Sequence, residues 1–216
     1  MYFDFSKDGF VMGTSYSSKK KTDDYIFSSI LDKLNLNKKL VVSTNQVHGN
    51  KIKHVINSGT YDSYDGLIAE SESKLILLIK TADCVPIFIY DNNKKIYSLI
   101  HAGWRGVQKK IHTVAIKKFF DFNSKLNDLY IVLGPSIKEC CFEIKEDVAK
   151  LFDEKFILID NNRSYLNLNK SIISDLKKMG VKNILSNQIC SYDDDRCHSY
   201  RKDGLLSGRM YSFITY

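Results

Sequence analysis

TADCVPIFIYDNNKKIYSLIHAGWRG, residues 81–106, holds two apolar runs around a polar turn, with Cys84 and His101 at their outer ends. Val85–Asp91 and Ile96–His101 carry the branched and aromatic side chains of strands, and Asp91-Asn92-Asn93-Lys94-Lys95 supplies the turn between them. A loop at Asn93-Lys94 pairs Asn92 with Lys95, and a longer loop pairs Asp91 with Ile96. The register is the same in both cases, and it sets His101 opposite Pro86. Cys84 lies two residues beyond Pro86, and residues two apart in a strand share a face. Diagonal neighbours in such a ladder stand about 7–8 Å apart. A metal bonded at about 2.3 Å to sulfur and about 2.0 Å to nitrogen bridges that span. A one-residue slip would put the two side chains on opposite faces.

Two protein ligands do not hold zinc firmly, so a third is required. His48 in TNQVHGN is the best placed, because Gly49 beside it lets the backbone approach closely and a polar loop suits a site. His54 lies in a strand-like run, His112 in a helix among lysines, and His198 in an acidic segment. A Cys/His/His set leaves one tetrahedral position open, which is the catalytic pattern. The residues alone leave other readings open. His48 serves equally as an ordinary loop histidine and Cys84 as an inert core thiol. Cys84 as nucleophile with His101 as base gives a hydrolase. A structural zinc module that binds a protein partner needs a fourth ligand, such as Cys140 or Cys141.

Outward from the hairpin, the pattern predicts a helix over Asp23–Leu34, with Thr22 as its cap and Ile26, Ile30 and Leu34 at helical spacing. Leu40–Ser43, Lys51–Ile56, Leu75–Lys80, Leu129–Leu133 and Met210–Thr215 read as strands. One helix opens near Gly106, burying Val107, Ile111, Val114, Ala115 and Phe119. Another begins near Glu146, and a third covers Ser171–Met179 with Gly180 as its stop. No linker or repeat interrupts the chain, so residues 1–216 read as a single domain of mixed α/β class, a mixed sheet with helices outside it.

Of 216 residues, 44% are hydrophobic and 26% charged, the balance of a globular protein able to bury a real core. The net charge of +7 comes from lysines scattered along the chain, with a compact run only at 19–21. This predicts a solvated surface and no nucleic-acid face. MYFDFSKDGF has no signal-peptide pattern, and no apolar run is long enough to span a bilayer, so a cytoplasmic protein is expected. The five cysteines are odd in number and form no CxxC pair. Cys140, Cys141, Cys190 and Cys197 are therefore expected to be buried free thiols, with no structural disulfide.

NQVHGN, DGLI at Asp65–Ile68, TADCVPI, HAGWRG, LGPSI followed by CCFEI, and SYRKDG with SGR together resemble the YfiH/YlmD family in order and spacing. This family is also known as the laccase-domain or polyphenol-oxidase-like proteins, and the resemblance runs from about Val41 onward. It implies a four-layer α/β/β/α fold, and zinc ligands at His48, Cys84 and His101. It also implies phosphorolysis of adenosine, inosine and 5′-methylthioadenosine, and deamination of adenosine. Copper-dependent polyphenol oxidation and editing of cell-wall precursors are other readings of the family. Two departures stand out. An Arg-Gly-Gly segment usual near the N-terminus is replaced by MGTSYSSKKK, and Lys202 stands where a second Arg is usual.

For phosphorolysis a site needs cations for phosphate and help for the departing purine. Arg105, just beyond a proposed ligand, and Arg201 and Arg209 are candidates, since a guanidinium fork matches phosphate oxygens. Asp83, beside Cys84, is a candidate acid/base or the partner that orients a ligating histidine. The HxE and PCxxC signature of the zinc deaminases is absent. Only five histidines and no HxH pair argue against a multicopper relay.

Overall fold

Alternate residues of the central strands serve different cores in this computed structural model, which describes residues 2–17 and 22–216. Along Val85–Asp91, Ile87 and Ile89 join one hydrophobic cluster while Phe88 and Tyr90 join another. The partner strand Ile96–Ala102 divides in the same way, with Ile96 and Ile100 on one side and Tyr97 and Leu99 on the other. Both strands are buried along their whole length, which is why they read as continuous apolar runs. Their register matches the expectation from the turn: Asp91 pairs with Ile96 and Pro86 with His101.

Two six-stranded sheets result. One runs in the order Asn183–Ser186, Leu129–Leu133, Val85–Asp91, Ile96–Ala102, Gly66–Glu70 and Ile52–His54. The other runs Tyr2–Asp4, Val11–Ser15, Met210–Thr215, Ile76–Thr81, Val41–Asn45 and Gly59–Asp62. Both are mixed, with parallel pairs such as Val41–Asn45 beside Gly59–Asp62 among antiparallel ones. Leu77, Ile79, Met12 and Ile214 of the second sheet meet Phe88 and Leu99 of the first, closing the space between them. The opposite face of the second sheet, with Ile76, Leu78 and Phe213, is covered by the helix Asp23–Lys33. The outer face of the first sheet is covered by Ile111–Phe120 and Leu168–Lys178. The layers are therefore helix, sheet, sheet, helix. A small sheet of Glu143–Ile144, Arg163–Leu166 and Ile157–Asp160 lies beside them.

Thr22 caps the first helix through its hydroxyl, which accepts from the Tyr25 N–H, and Asp23 and Asp24 occupy the first turn as expected. The helix expected from Gly106 is broken in two, Trp104–Gln108 and Ile111–Phe120. Lys110 takes a left-handed conformation at φ 61°, which no helix continues through. Val114 is only half-buried as a result, and His112 takes an interior position. The third helix starts earlier than its apolar pattern suggests, because Asn167 caps it by accepting from the Lys170 N–H. Among the described residues, no helix is long and apolar enough to cross a membrane. The lysine run at 19–21 lies outside the described residues.

Candidate metal centre

His48, Cys84 and His101 converge, with their ligand atoms all within 4.8 Å of one another. Each arrives from a different kind of element. His101 is a strand residue, buried in the ladder against Pro86. Cys84 precedes its strand by one residue, in a bend where Asp83 has φ 83°, so strand alternation alone does not place it. His48 stands in a loop at φ 56°. Its ring meets that of His101 edge-on at 4.8 Å between centroids, and its Nε2 lies 3.9 Å from Cys84 Sγ.

The organiser of this arrangement is Asp65, fully buried at the edge of Gly66–Glu70. Its carboxylate accepts from three consecutive backbone N–H groups, Val47 at 3.2 Å, His48 at 2.9 Å and Gly49 at 2.6 Å. These bonds hold His48 in its left-handed conformation, which a non-glycine residue adopts only when its surroundings compel it. The same carboxylate bonds His101 Nδ1 at 2.8 Å. That bond fixes the ring and turns its other nitrogen, Nε2, towards Cys84. Burial raises the Asp65 carboxyl, but the His101 hydrogen bond and those from Gly49 and Val47 outweigh it and hold the group below the usual carboxylate range.

Cys84 and His101 are electrostatically coupled. Burial pushes the Cys84 thiol up, yet the hydrogen bond and charge of His101, followed by those of His48, bring it down to about 6. Burial pushes His101 down, but Asp65 and then Cys84 raise it to about 9. Gly103 closes the cradle, since a Cβ there would lie 2.9 Å from His48 Cδ2 and 3.0 Å from Cys84 Sγ. One thiolate and two imidazoles, one of them oriented by a buried carboxylate, fit a zinc ion with an open position.

These three residues open on a cavity of about 800 Å³, which Asp83, Arg105, Arg201 and Arg209 also line. All seven residues singled out from the sequence thus face one space. The Arg105 guanidinium lies 4.1 Å from the centre of the Trp104 ring, stacked on it and exposed. Arg201 is held by its backbone N–H to Asp83 Oδ2 at 2.7 Å and by Nη1 to the Glu143 carbonyl at 2.8 Å. Arg209 is anchored through its N–H to Asp23 Oδ2 at 2.7 Å.

Asp83 uses both carboxylate oxygens, accepting from Ser191 Oγ at 2.7 Å as well as from Arg201 N. The role of orienting a ligating histidine, one of two considered for it, is filled by Asp65 instead. Asp65 was visible only within the DGLI motif, because a single acid before a glycine carries no periodic signal. Lys80 also lines the cavity, and a lone lysine inside an apolar strand carries no signal of this in the sequence. The expectation of buried thiols holds for Cys190 and Cys197. It fails for Cys140, which is exposed, and for Cys141, which is half-buried. These two lie in the turn before Glu143–Ile144, where the chain passes over the surface.

A family profile described as multi-copper polyphenol oxidoreductase laccase matches residues 12–216. A purine nucleoside phosphorylase of Clostridium acetobutylicum is 35% identical over 157 residues, 69% of this chain. That match spans 66% of the relative's length, just under two thirds. Among solved structures, YfiH of Bacillus licheniformis superposes with a TM-score of 0.86 at 23% identity, covering 95% of this chain and 92% of that one. YlmD of Geobacillus stearothermophilus gives the same TM-score and identity over 96% of this chain and 92% of its own.

Proposed function

The chain belongs to the laccase-domain family, and from that membership we propose that it is a zinc-dependent purine nucleoside phosphorylase. One observation carries the reading: a three-ligand donor set and three arginines face the same cavity of about 800 Å³. That volume suits a nucleoside together with phosphate. Relatives bearing the phosphorylase name support the reaction, and adenosine, inosine and 5′-methylthioadenosine are the proposed substrates.

In phosphorolysis a phosphate oxygen forms a bond to the anomeric carbon of the ribose. The glycosidic C–N bond breaks, and the electron pair leaves with the purine. His48, Cys84 and His101 would hold the zinc ion, which would supply Lewis-acid catalysis there. Arg105, Arg201 and Arg209 bind phosphate and offset its charge as it approaches the sugar. Phe142 and Tyr200 supply apolar wall for the base. Asp83 positions Arg201 and the segment at Ser191, since both its oxygens are already engaged. Asp65 keeps His101 in one tautomer and one orientation.

The copper oxidase reading rests on the family description and on the softness of a Cys/His/His set. The remaining histidines do not extend that set. His54 faces Glu70, His112 faces Asp175 and His198 faces Asp23. The test is incubation of purified protein with adenosine, with and without phosphate. Adenine and ribose 1-phosphate formed only with phosphate support phosphorolysis. Inosine formed without phosphate means that deamination is also catalysed. Neither product, with copper-dependent oxidation of a phenol, would replace the proposal.

A further inference from the structure

Behind the wall of the cavity lies a second cluster of metal-binding groups that the phosphorylase chemistry does not use. Cys140, Cys141, Cys190 and Asp193 present four ligand atoms within 4.8 Å of one another. The geometry points to a second zinc site at these four residues, closed by protein ligands and structural in character.

Spacing supports it. Tetrahedral zinc–sulfur bonds of about 2.3 Å place two sulfurs about 3.8 Å apart. Cys140 Sγ stands 3.6 Å from Cys190 Sγ and 4.0 Å from Asp193 Oδ2. Cys141 Sγ lies 2.6 Å from Cys140 Sγ, closer than two zinc-bound sulfurs stand, so its side chain would have to turn for both to bind one ion. Three thiolates and a carboxylate complete four-coordination, whereas His48, Cys84 and His101 leave a position open. Lys138 emerges two residues before Cys140 and turns its ammonium inward to Ser136 Oγ at 3.1 Å. Its charge offsets part of the negative charge that three thiolates and a carboxylate gather around one divalent ion.

The place of the cluster gives it a purpose. Cys140 and Cys141 sit in the loop between Ile137 and Phe142, and both of those residues line the cavity. Cys190 is bridged to Ser136 in the backbone, and its neighbour Ser191 donates to Asp83. An ion held here ties the loop 137–142 to the segment 189–193 and so fixes one wall of the cavity. Sequence spacing hides this, since Cys190 is fifty residues from Cys140.

The test is zinc stoichiometry of the full chain. After saturation with zinc and removal of excess, the native protein is expected to keep two equivalents, and Cys140→Ser/Cys190→Ser one. The His48→Ala/Cys84→Ala variant is expected to keep one equivalent. On cobalt substitution that site should show intense thiolate-to-metal charge-transfer absorption, abolished by the further replacement of Cys140 and Cys190. Far-UV circular dichroism confirms that each variant is folded. A count unchanged in Cys140→Ser/Cys190→Ser would overturn the site, and so would full alkylation of Cys140 and Cys190 in the zinc-saturated native protein. A count unchanged in His48→Ala/Cys84→Ala would overturn the first site instead.

Discussion

Asp65 Oδ1 bonds both His101 Nδ1, at 2.8 Å, and the backbone N–H of His48, at 2.9 Å, so one buried carboxylate sets two of the three proposed ligands. The loop and the strand that carry these histidines are thereby held together through one side chain. A carboxylate bonded to the second ring nitrogen is the usual partner of a metal-bound histidine.

Replacing Asp65 by Asn puts an amide NH2 among donors and frees the His101 ring to turn. Zinc affinity is expected to fall about 10–100-fold, the usual loss when a partner of a metal-bound histidine is removed. The His101 pKa, raised to about 9 with Asp65 among its causes, should drop towards 6.5 in the metal-free variant. Competition with a chromophoric chelator reads the first effect, and imidazole resonances in NMR read the second. Unchanged affinity would mean that Asp65 serves the fold alone.

Gly103→Ala is the steric counterpart. The new methyl would lie 2.9 Å from His48 Cδ2, closer than real Cβ contacts come, and a tight 3.0 Å from Cys84 Sγ. Since Gly103 has an ordinary φ of −75°, the helix it precedes should still form. Metal content should fall while the thermal midpoint of the metal-free protein stays within a few degrees of the parent.

Arg105 is exposed and stacks on Trp104, which leaves its guanidinium fork open to the cavity. Charge-assisted hydrogen bonds contribute about 1.5–3 kcal/mol. Arg105→Ala should therefore raise KM for phosphate roughly tenfold or more, with a smaller change in KM for the nucleoside. Arg105→Lys keeps the charge but loses the fork, and should recover only part of the loss. Equal effects on both substrates would argue against a phosphate role.

Away from the cavity, His112 gives the fold an acid sensitivity. Its ring is fully buried, bonded at Nε2 to Asp175 at 3.0 Å, with Nδ1 unpartnered among the described residues. Burial holds its pKa below 6.5, although Asp175 pulls in the other direction. The unfolded chain takes up this proton near 6.5 and the folded chain only at lower pH. Its contribution is thus complete above 6.5 and is lost as pH falls from there towards the folded value. Urea unfolding from pH 7.5 to 5 should show a steeper loss for the native chain than for His112→Gln.

The parts of this structure that could be read from sequence share one property: they are local. The polar turn at Asp91–Lys95 fixed the hairpin register and so the place of His101 opposite Pro86, whereas the bend at Asp83 that brings Cys84 in carries no such signal. The cap at Thr22 announced the first helix. Tyr2–Asp4 and Val11–Ser15 are not legible in the sequence, because such short strands show no sustained alternation. Lys110 breaks its helix through a left-handed turn that no glycine or proline marks. The bonds of Asp65 to residues 47–49, of Asp83 to Ser191 and Arg201, and of Asp23 to Arg209 join distant segments. Their partners depend on sheet order, which composition and periodicity do not reveal.

The most direct measurement is zinc content and phosphorolysis rate in Cys84→Ala, made on the same preparation. The thiol lies in a bend at the strand end, so its removal should spare the core. The account predicts a loss of one zinc equivalent together with phosphorolysis, an intact fold, and losses in His48→Ala and His101→Ala that do not add to it, because all three act at one site. A Cys84→Ala protein that keeps its full zinc content but loses activity would contradict the account and make Cys84 a nucleophile.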